Sequence, residues 1–298
     1  MRLLYLSAAL ALLLLFFIRG TPVSLAESPT PTLQTKNIRS PRSGPPYVSF
    51  LPLIFASPLL KKGVALTYYQ GYCQDVALMN ASWEYAWVNG PPNCPGVENV
   101  PMIWDEVYVN WPLGGNSDWI MGFNEPDQPL QADLTGQQAA ELWYQIEQMY
   151  PTRKLLSPAT LAVTTTWIVS FRDAYISTYG TPPRLDGLAL HCFAWTSSEC
   201  VNRTQEYINL ANSWGIPEIW VTEFSFATNS PSSPSGSLQE MQTFINWMVS
   251  QPKITRYAWY GSRIQGNEWW ALPNFHTPLI DWNTGQPTAY GNIYIPYQ

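Results

Sequence analysis

Eight short apolar runs, each followed by a loop and most of the later ones by a stretch of helical period, predict a small (β/α)8 barrel from Lys61 onward. The runs are almost continuously hydrophobic, which suits parallel strands covered on both faces. The intervening stretches have helix starts and stops. A doubly wound open sheet is the other arrangement that fits this alternation.

The expected strands are Gly63–Tyr69, Trp83–Val88, Val100–Trp104, Trp119–Phe123, Lys154–Ser157, Leu185–Phe193, Glu218–Phe224 and Ile254–Tyr260. A helix is expected from Leu134 to Tyr150, ended by Pro151, and a second over Thr166–Tyr179, ended by Gly180. A third is expected over Arg203–Trp214, capped by Asn202 and stopped by Gly215, and a fourth over Leu238–Ser250, stopped before Pro252. The first three strands follow one another too closely for full βαβ units, so short helices or loops are expected after them.

The chain has 298 residues, of which 46% are hydrophobic and only 12% charged, enough apolar content to build a core. Net charge is −6 and no basic cluster exists, which excludes a nucleic-acid binder. No CxxC, HExxH, GxGxxG or GxxxxGK[ST] pattern occurs, which argues against zinc, dinucleotide and P-loop chemistry. Aromatic residues make up 14%, including 15 Trp and 17 Tyr, and such rings serve as flat stacking faces as well as core.

Residues 1–26 read as a secretory signal peptide: Arg2, an uncharged apolar run from Leu3 to Ile18, and Ser24 and Ala26 at the −3 and −1 positions of a cleavage site. The run is short for a membrane anchor. Residues 27–60 read as a Pro/Ser-rich linker and an apolar lead-in broken by Pro52 and Pro58, leaving 61–298 as the folded domain. Export predicts an extracellular location, with no stable membrane insertion after cleavage, and a monomer. Cys73, Cys94, Cys192 and Cys200 are then disulfide candidates, and their spacing favours pairs 73–94 and 192–200. Asn80-Ala-Ser and Asn202-Arg-Thr match the glycosylation sequon.

Barrels place chemistry at the C-terminal ends of their strands. Strand four ends in Asn124-Glu125-Pro126-Asp127 and strand seven in Thr222-Glu223-Phe224. The two glutamates are 98 residues apart, three repeats of the pattern. Two carboxylates across a barrel mouth suit glycosidic cleavage, in which one donates a proton to the leaving oxygen and the other attacks or activates water. Asn124 is placed to hold a sugar hydroxyl. His191, Trp259, Trp104 and Tyr68 lie at other strand tips as further substrate contacts, and Asp127 and Asp105 stand near the acid. Each has a structural alternative: a loop-start carboxylate, a core histidine, an aromatic plug, or a Glu223–Arg263 ion pair.

With these residues the chain resembles the retaining clan of (β/α)8 glycoside hydrolases, and more narrowly glycoside hydrolase family 128. The similar segments are Lys62-Gly-Val-Ala-Leu, Pro101-Met-Ile-Trp, Gly122-Phe-Asn-Glu-Pro-Asp, Leu156-Ser-Pro-Ala, Leu190-His-Cys-Phe, Ile219-Trp-Val-Thr-Glu-Phe, Arg256-Tyr-Ala-Trp-Tyr and the tail from Asp281 to Gly291. The resemblance implies an endo-type hydrolase of β-1,3-glucans, with Glu125 as acid/base and Glu223 as nucleophile. It calls for no metal or cofactor, and its partner is a β-glucan. Similar proteins tend to carry His-Trp-Tyr after strand six, where this chain has His191-Cys-Phe with Trp195 nearby. A carbohydrate-binding barrel without catalysis, and a hydrolase of the same clan acting on another polysaccharide, are the competing expectations.

Overall fold

Strand β1 (Lys62–Ala65) lies between β2 (Trp83–Tyr85) and β8 (Ile254–Trp259), parallel to both. This pairing of the first strand with the last is what turns a sheet into a barrel. The full order is β3-β2-β1-β8-β7-β6-β5-β4, with β3 at Glu98–Asn99, β4 at Trp119–Met121, β5 at Lys154–Leu156, β6 at Gly187–Ala194 and β7 at Glu218–Phe226. A parallel bridge between Met102 and Met121 joins the two ends of the order. This computed structural model describes residues 61–67, 72–229, 234–265 and 274–298. The expected leader and linker, and Tyr68, lie outside the described residues.

Among the described residues, six helices accompany the strands: α1 (Tyr72–Leu78), α2 (Gly136–Met149), α3 (Thr166–Tyr179), α4 (Ser197–Trp214), α5 (Ser235–Ser250) and α6 (Ala289–Tyr294). As the spacing predicts, the connections after the first three strands are thin. A seven-residue helix follows β1, no described helix follows β2, and a single 3-10 turn at Glu106–Tyr108 follows β3. Among the described residues no helix is long and apolar enough to cross a membrane.

Two expectations shift. Strand three was expected at Val100–Trp104, but the ladder residues are Glu98–Asn99. Pro101 has no N–H to give and interrupts the ladder, leaving Met102 as an isolated bridge. Helix α4 begins at Ser197 rather than Arg203, so Asn202 lies inside it. Its cap is Thr196, whose side chain and that of Glu199 form a capping box.

Alternation along the strands separates two packed layers. Ala65, Trp83, Tyr85, Met102, Trp119, Met121, Leu156, Ala189, Trp220 and Ala258 fill the barrel interior. Trp220 stands at its centre, its ring 4.8 Å from Trp119 and 5.2 Å from Trp83. Arg256 lies 4.0 Å over the Trp220 ring and pairs with Glu98 at 2.7 Å. Gly63 is required beside this plug, because a Cβ there would meet the Trp83 ring at 2.1 Å. The outer layer, from Val64 through Phe224 and Trp259, packs against the helices.

Both favoured disulfides are present. Cys73–Cys94 joins α1 to the loop before β3, and Cys192–Cys200 joins β6 to α4.

Candidate active site

Glu125 lies four residues past β4 and Glu223 lies within β7. Their backbones reach the same mouth by irregular routes. Strand β7 carries one extra residue against both neighbours: Leu190 pairs with Val221, yet His191 pairs with Glu223. Ile219 and Val221 face the helices, so strict alternation would send Glu223 outward too. The bulge at Thr222 reverses the parity and turns Glu223 inward, a common use of bulges beside active sites. Glu125 has a φ of +41°, left-handed backbone that a non-glycine residue adopts only when its surroundings enforce it. Its N–H donates to the Ala159 carbonyl at 2.8 Å, and Pro126 follows.

His191 stands between the two carboxylates and is completely buried. Its Nδ1 is 2.8 Å from Glu125 Oε1, and its Nε2 is 3.5 Å from Glu223 Oε1. The second contact is electrostatic, not a formed hydrogen bond. One oxygen of each glutamate and one ring nitrogen of His191 lie within 4.8 Å of one another. The alternative of an exposed loop-start carboxylate fails: Glu125 is only 6% exposed and Glu223 only 3%. Arg263 does not engage Glu223. Its guanidinium grips Asp75 through two 2.7 Å hydrogen bonds.

Burial is the largest influence on Glu223. Together with the Glu125 charge it outweighs His191, Trp87 and Tyr85 and pushes the carboxyl up to about 7. Burial opposes the charged form of His191, but the Glu223 and Glu125 carboxylates more than offset it, and the net shift is upward. The charges of His191 and Glu223 therefore depend on each other.

Two residues absent from the sequence reading complete the site. The Trp87 indole N–H donates to Glu223 Oε1 at 2.8 Å. The Tyr85 hydroxyl lies between that same oxygen, at 3.1 Å, and the Thr222 carbonyl at 2.9 Å. All these contacts fall on Oε1, which leaves Oε2 as the oxygen available to substrate. Burial and then the Glu223 charge hold the Tyr85 phenol well above its ordinary range, so it remains a donor. Trp87 has a φ of +51°, a second left-handed residue in the site. The clue in the sequence was Trp83-Glu-Tyr85-Ala-Trp87: three aromatics at period two share one face, and that face is inward.

The other expected contacts divide. Asn124 is buried beside Glu125. Its Nδ2 donates to Gln131 Oε1 at 3.0 Å, and its Oδ1 is buried with no hydrogen-bond partner among the described residues. Trp104 accepts the Asn124 N–H at its carbonyl, and its ring meets Tyr108 edge-on, which puts it at the rim of the mouth. Trp195 is 49% exposed just past β6, on the same end of the barrel. Trp259 is a correction. It is fully buried in the outer layer, donates to the Thr277 carbonyl at 2.7 Å and stacks on Tyr290, so it offers no face to a sugar. It aligns with outward-facing Val64, and the parity of β8 brings the next residue, Tyr260, to the mouth instead. Tyr260 meets Trp87 and Phe193 edge-on at 6.0 and 5.1 Å. Asp105 caps the 3-10 turn through Val107, and Asp127 accepts the Leu161 and Ala162 N–H groups; neither touches Glu125.

Glu125, His191 and Glu223 are also the one donor set of metal-ligand type among the described residues. Of these donor atoms, Glu125 Oε1 and His191 Nδ1 already engage each other, and Glu223 Oε1 engages Trp87 and Tyr85. Chemically the arrangement provides a proton and a carboxylate at close range in a dry, aromatic-walled mouth, as acid-assisted displacement at a glycosidic carbon requires.

Comparison with known proteins agrees. Residues 63–294 match the model of the family described as glycosyl hydrolase catalytic core. No curated protein matches the sequence significantly. Among solved structures, an endo-β-1,3-glucanase of family 128 from Pseudomonas viridiflava is 25% identical, with a TM-score of 0.62 over 80% of this chain and 98% of that one. An exo-β-1,3-glucanase of family 128 from Cryptococcus neoformans is also 25% identical, with a TM-score of 0.63 over 79% of this chain and 98% of that one. A third, the Amycolatopsis mediterranei endo-β-1,3-glucanase solved with laminarihexaose, is 24% identical, with a TM-score of 0.65 over 80% and 100%. The chain belongs to the glycosyl hydrolase catalytic core family and is a glycoside hydrolase with the fold of family 128.

Proposed function

We propose that this chain is a secreted, retaining endo-β-1,3-glucanase. The observation that carries the retaining reading is the approach of Glu125 and Glu223 to within 4.8 Å at their nearest oxygens. Retaining enzymes hold their two carboxyls about 5–5.5 Å apart, and inverting ones about 6.5–9.5 Å apart to admit a water. In this scheme Glu125 donates its proton to the glycosidic oxygen as Glu223 Oε2 attacks the anomeric carbon. The covalent glycosyl-enzyme is then hydrolysed by a water that Glu125, now ionised, deprotonates. His191 touches Glu125 and approaches Glu223, so it keeps one proton within the trio as its charges change. Trp87 and Tyr85 hold Oε1 and leave Oε2 directed at the sugar.

The substrate class rests on the family 128 neighbours, which are β-1,3-glucanases of both endo and exo action. Endo action rests on the motif resemblance. Secretion rests on the apolar leader and on the two disulfides, which suit an oxidising compartment. The test is incubation with a panel of defined polysaccharides and chromatography of the products. A series of β-1,3-linked oligosaccharides from the early time points supports the proposal. Release of glucose alone would replace endo with exo action, and cleavage confined to mannan, galactan or β-1,4-glucan would overturn the substrate class.

A further inference from the structure

Between Glu125 and His191 runs a short segment, residues 159–162, just beyond β5. Strand β5 itself is weakly joined to β6, through the single pair Leu156–Gly187. Past that point the contacts are isolated bridges, Asn124 with Ala159 and Thr160 with Leu190. The two site residues nevertheless depend on this segment. The Glu125 N–H donates to the Ala159 carbonyl at 2.8 Å, and the His191 N–H donates to the Thr160 carbonyl at 3.0 Å.

The segment is gripped from outside the sheet. From α4, Arg203 donates through one guanidinium nitrogen to the Thr160 carbonyl at 2.7 Å and through the other to the Leu161 carbonyl at 2.5 Å. One turn later on the same helix, the Tyr207 hydroxyl meets Thr160 Oγ1 at 2.5 Å. From the β4 side, Asp127 accepts the Leu161 and Ala162 N–H groups. Arg203 is 6% exposed, and among the described residues no carboxylate lies at ion-pair distance from it. A buried cation whose hydrogen bonds go to neutral carbonyls is a costly way to hold a loop, since an apolar side chain would pack there without desolvating a charge.

We propose that Arg203 is a positioning residue: by clamping the Thr160 and Leu161 carbonyls it holds the β5 tip at the spacing that keeps His191 on Glu125. This rests on the reading of Glu125 as the acid/base. The charge has a second consequence. Arg203 opposes protonation of His191, while Glu125 and Asp127 favour the charged guanidinium in return.

The test compares Arg203→Met, Arg203→Lys and Asp127→Asn. Arg203→Met is expected to lower kcat about 10²-fold, the effect of a small misplacement at the reacting centre, with KM little changed. It should also move the His191-dependent limb of the kcat/KM pH profile to higher pH, because the opposing cation is gone. Arg203→Lys keeps the charge and loses the fork, so it should keep the pH profile and lose rate. Asp127→Asn should lose rate from the other side of the segment. Wild-type kcat and pH profile in Arg203→Met, with only Tm lowered, would overturn the proposal. If Arg203→Met does not fold, wild-type kcat in both Arg203→Lys and Asp127→Asn overturns it equally. Hydrolysis retained by Glu125→Gln would instead refute the acid/base reading on which it stands.

Discussion

The barrel has two unlike halves. From β4 to β8 the connections carry helices of 14 to 18 residues, and strands β6 and β7 reach 8 and 9 residues. From β1 to β3 the strands shrink to 4, 3 and 2 residues, and the outer face has one short helix, a disulfide and a loop. The division of labour follows the scaffold. Glu125, His191 and Glu223, which must hold geometry through a change of charge, come from the helix-backed half. Tyr85 and Trp87, which donate to Glu223 without titrating, come from the thin half. A thin wall is sufficient to carry a hydrogen-bond donor when the aromatic plug beneath it is rigid.

The largest effect that would break this division is loss of the pair itself. Glu125→Gln and Glu223→Gln should each lower kcat by 10³-fold or more, on the order expected for a missing general acid or nucleophile, with Tm unchanged. Activity retained in either would move the chemistry away from the helix-backed half.

Next comes the staple of the thin half. Cys73 and Cys94 are 21 residues apart, Cys192 and Cys200 only 8. Replacing Cys73 and Cys94 by Ser should cost about 3 kcal/mol of stability, somewhat more than the same change at Cys192 and Cys200, because the longer loop restrains the unfolded chain more. Denaturant titration measures both. A smaller loss from the 73–94 pair would mean that the thin half does not depend on its staple.

A donor from the thin half has a smaller effect. Trp87→Phe keeps the ring and removes the N–H on Glu223 Oε1. It should lower kcat about 10–10²-fold, the equivalent of one hydrogen bond to a charged group, while KM and Tm stay near wild type. Equal kcat would show that Tyr85 alone orients Glu223.

The last effect concerns Glu84, on the outer face of β2, completely buried and with neither oxygen hydrogen-bonded. Burial raises it from 4.5 to about 8. Between those values the folded state holds a proton that the unfolded chain has released, so stability falls as pH rises through this window and levels off above about 8. Glu84→Gln should remove that slope and raise Tm at pH 7 to 8. An unchanged slope would show that another group carries it.

Much of this was legible in the sequence, and the exceptions share a cause. Strand positions, the thin first half, both glutamates and both disulfides follow from apolar periodicity and spacing. What escaped was parity. The face of each residue depends on bulges and interruptions that no apolar pattern marks. Trp259 and Tyr260 were exchanged for that reason, and Pro101 moved β3. Glu223 was placed in the mouth by its motif, although simple alternation without the Thr222 bulge would have faced it outward. Two signals were available and unused: the Thr196-x-x-Glu199 capping box at the start of α4, and the Trp83, Tyr85, Trp87 alternation that led into the site.

The central claim is that Glu223 attacks the sugar directly while Glu125 manages the proton. Proton NMR of a fresh hydrolysate of a β-1,3-glucan tests it most directly, because the anomer formed first records the number of displacements. Double displacement through a glycosyl-Glu223 intermediate predicts the β-anomer first, followed by mutarotation. An α-anomer formed first would contradict the account: it would show a single displacement by water and reduce Glu223 from nucleophile to general base.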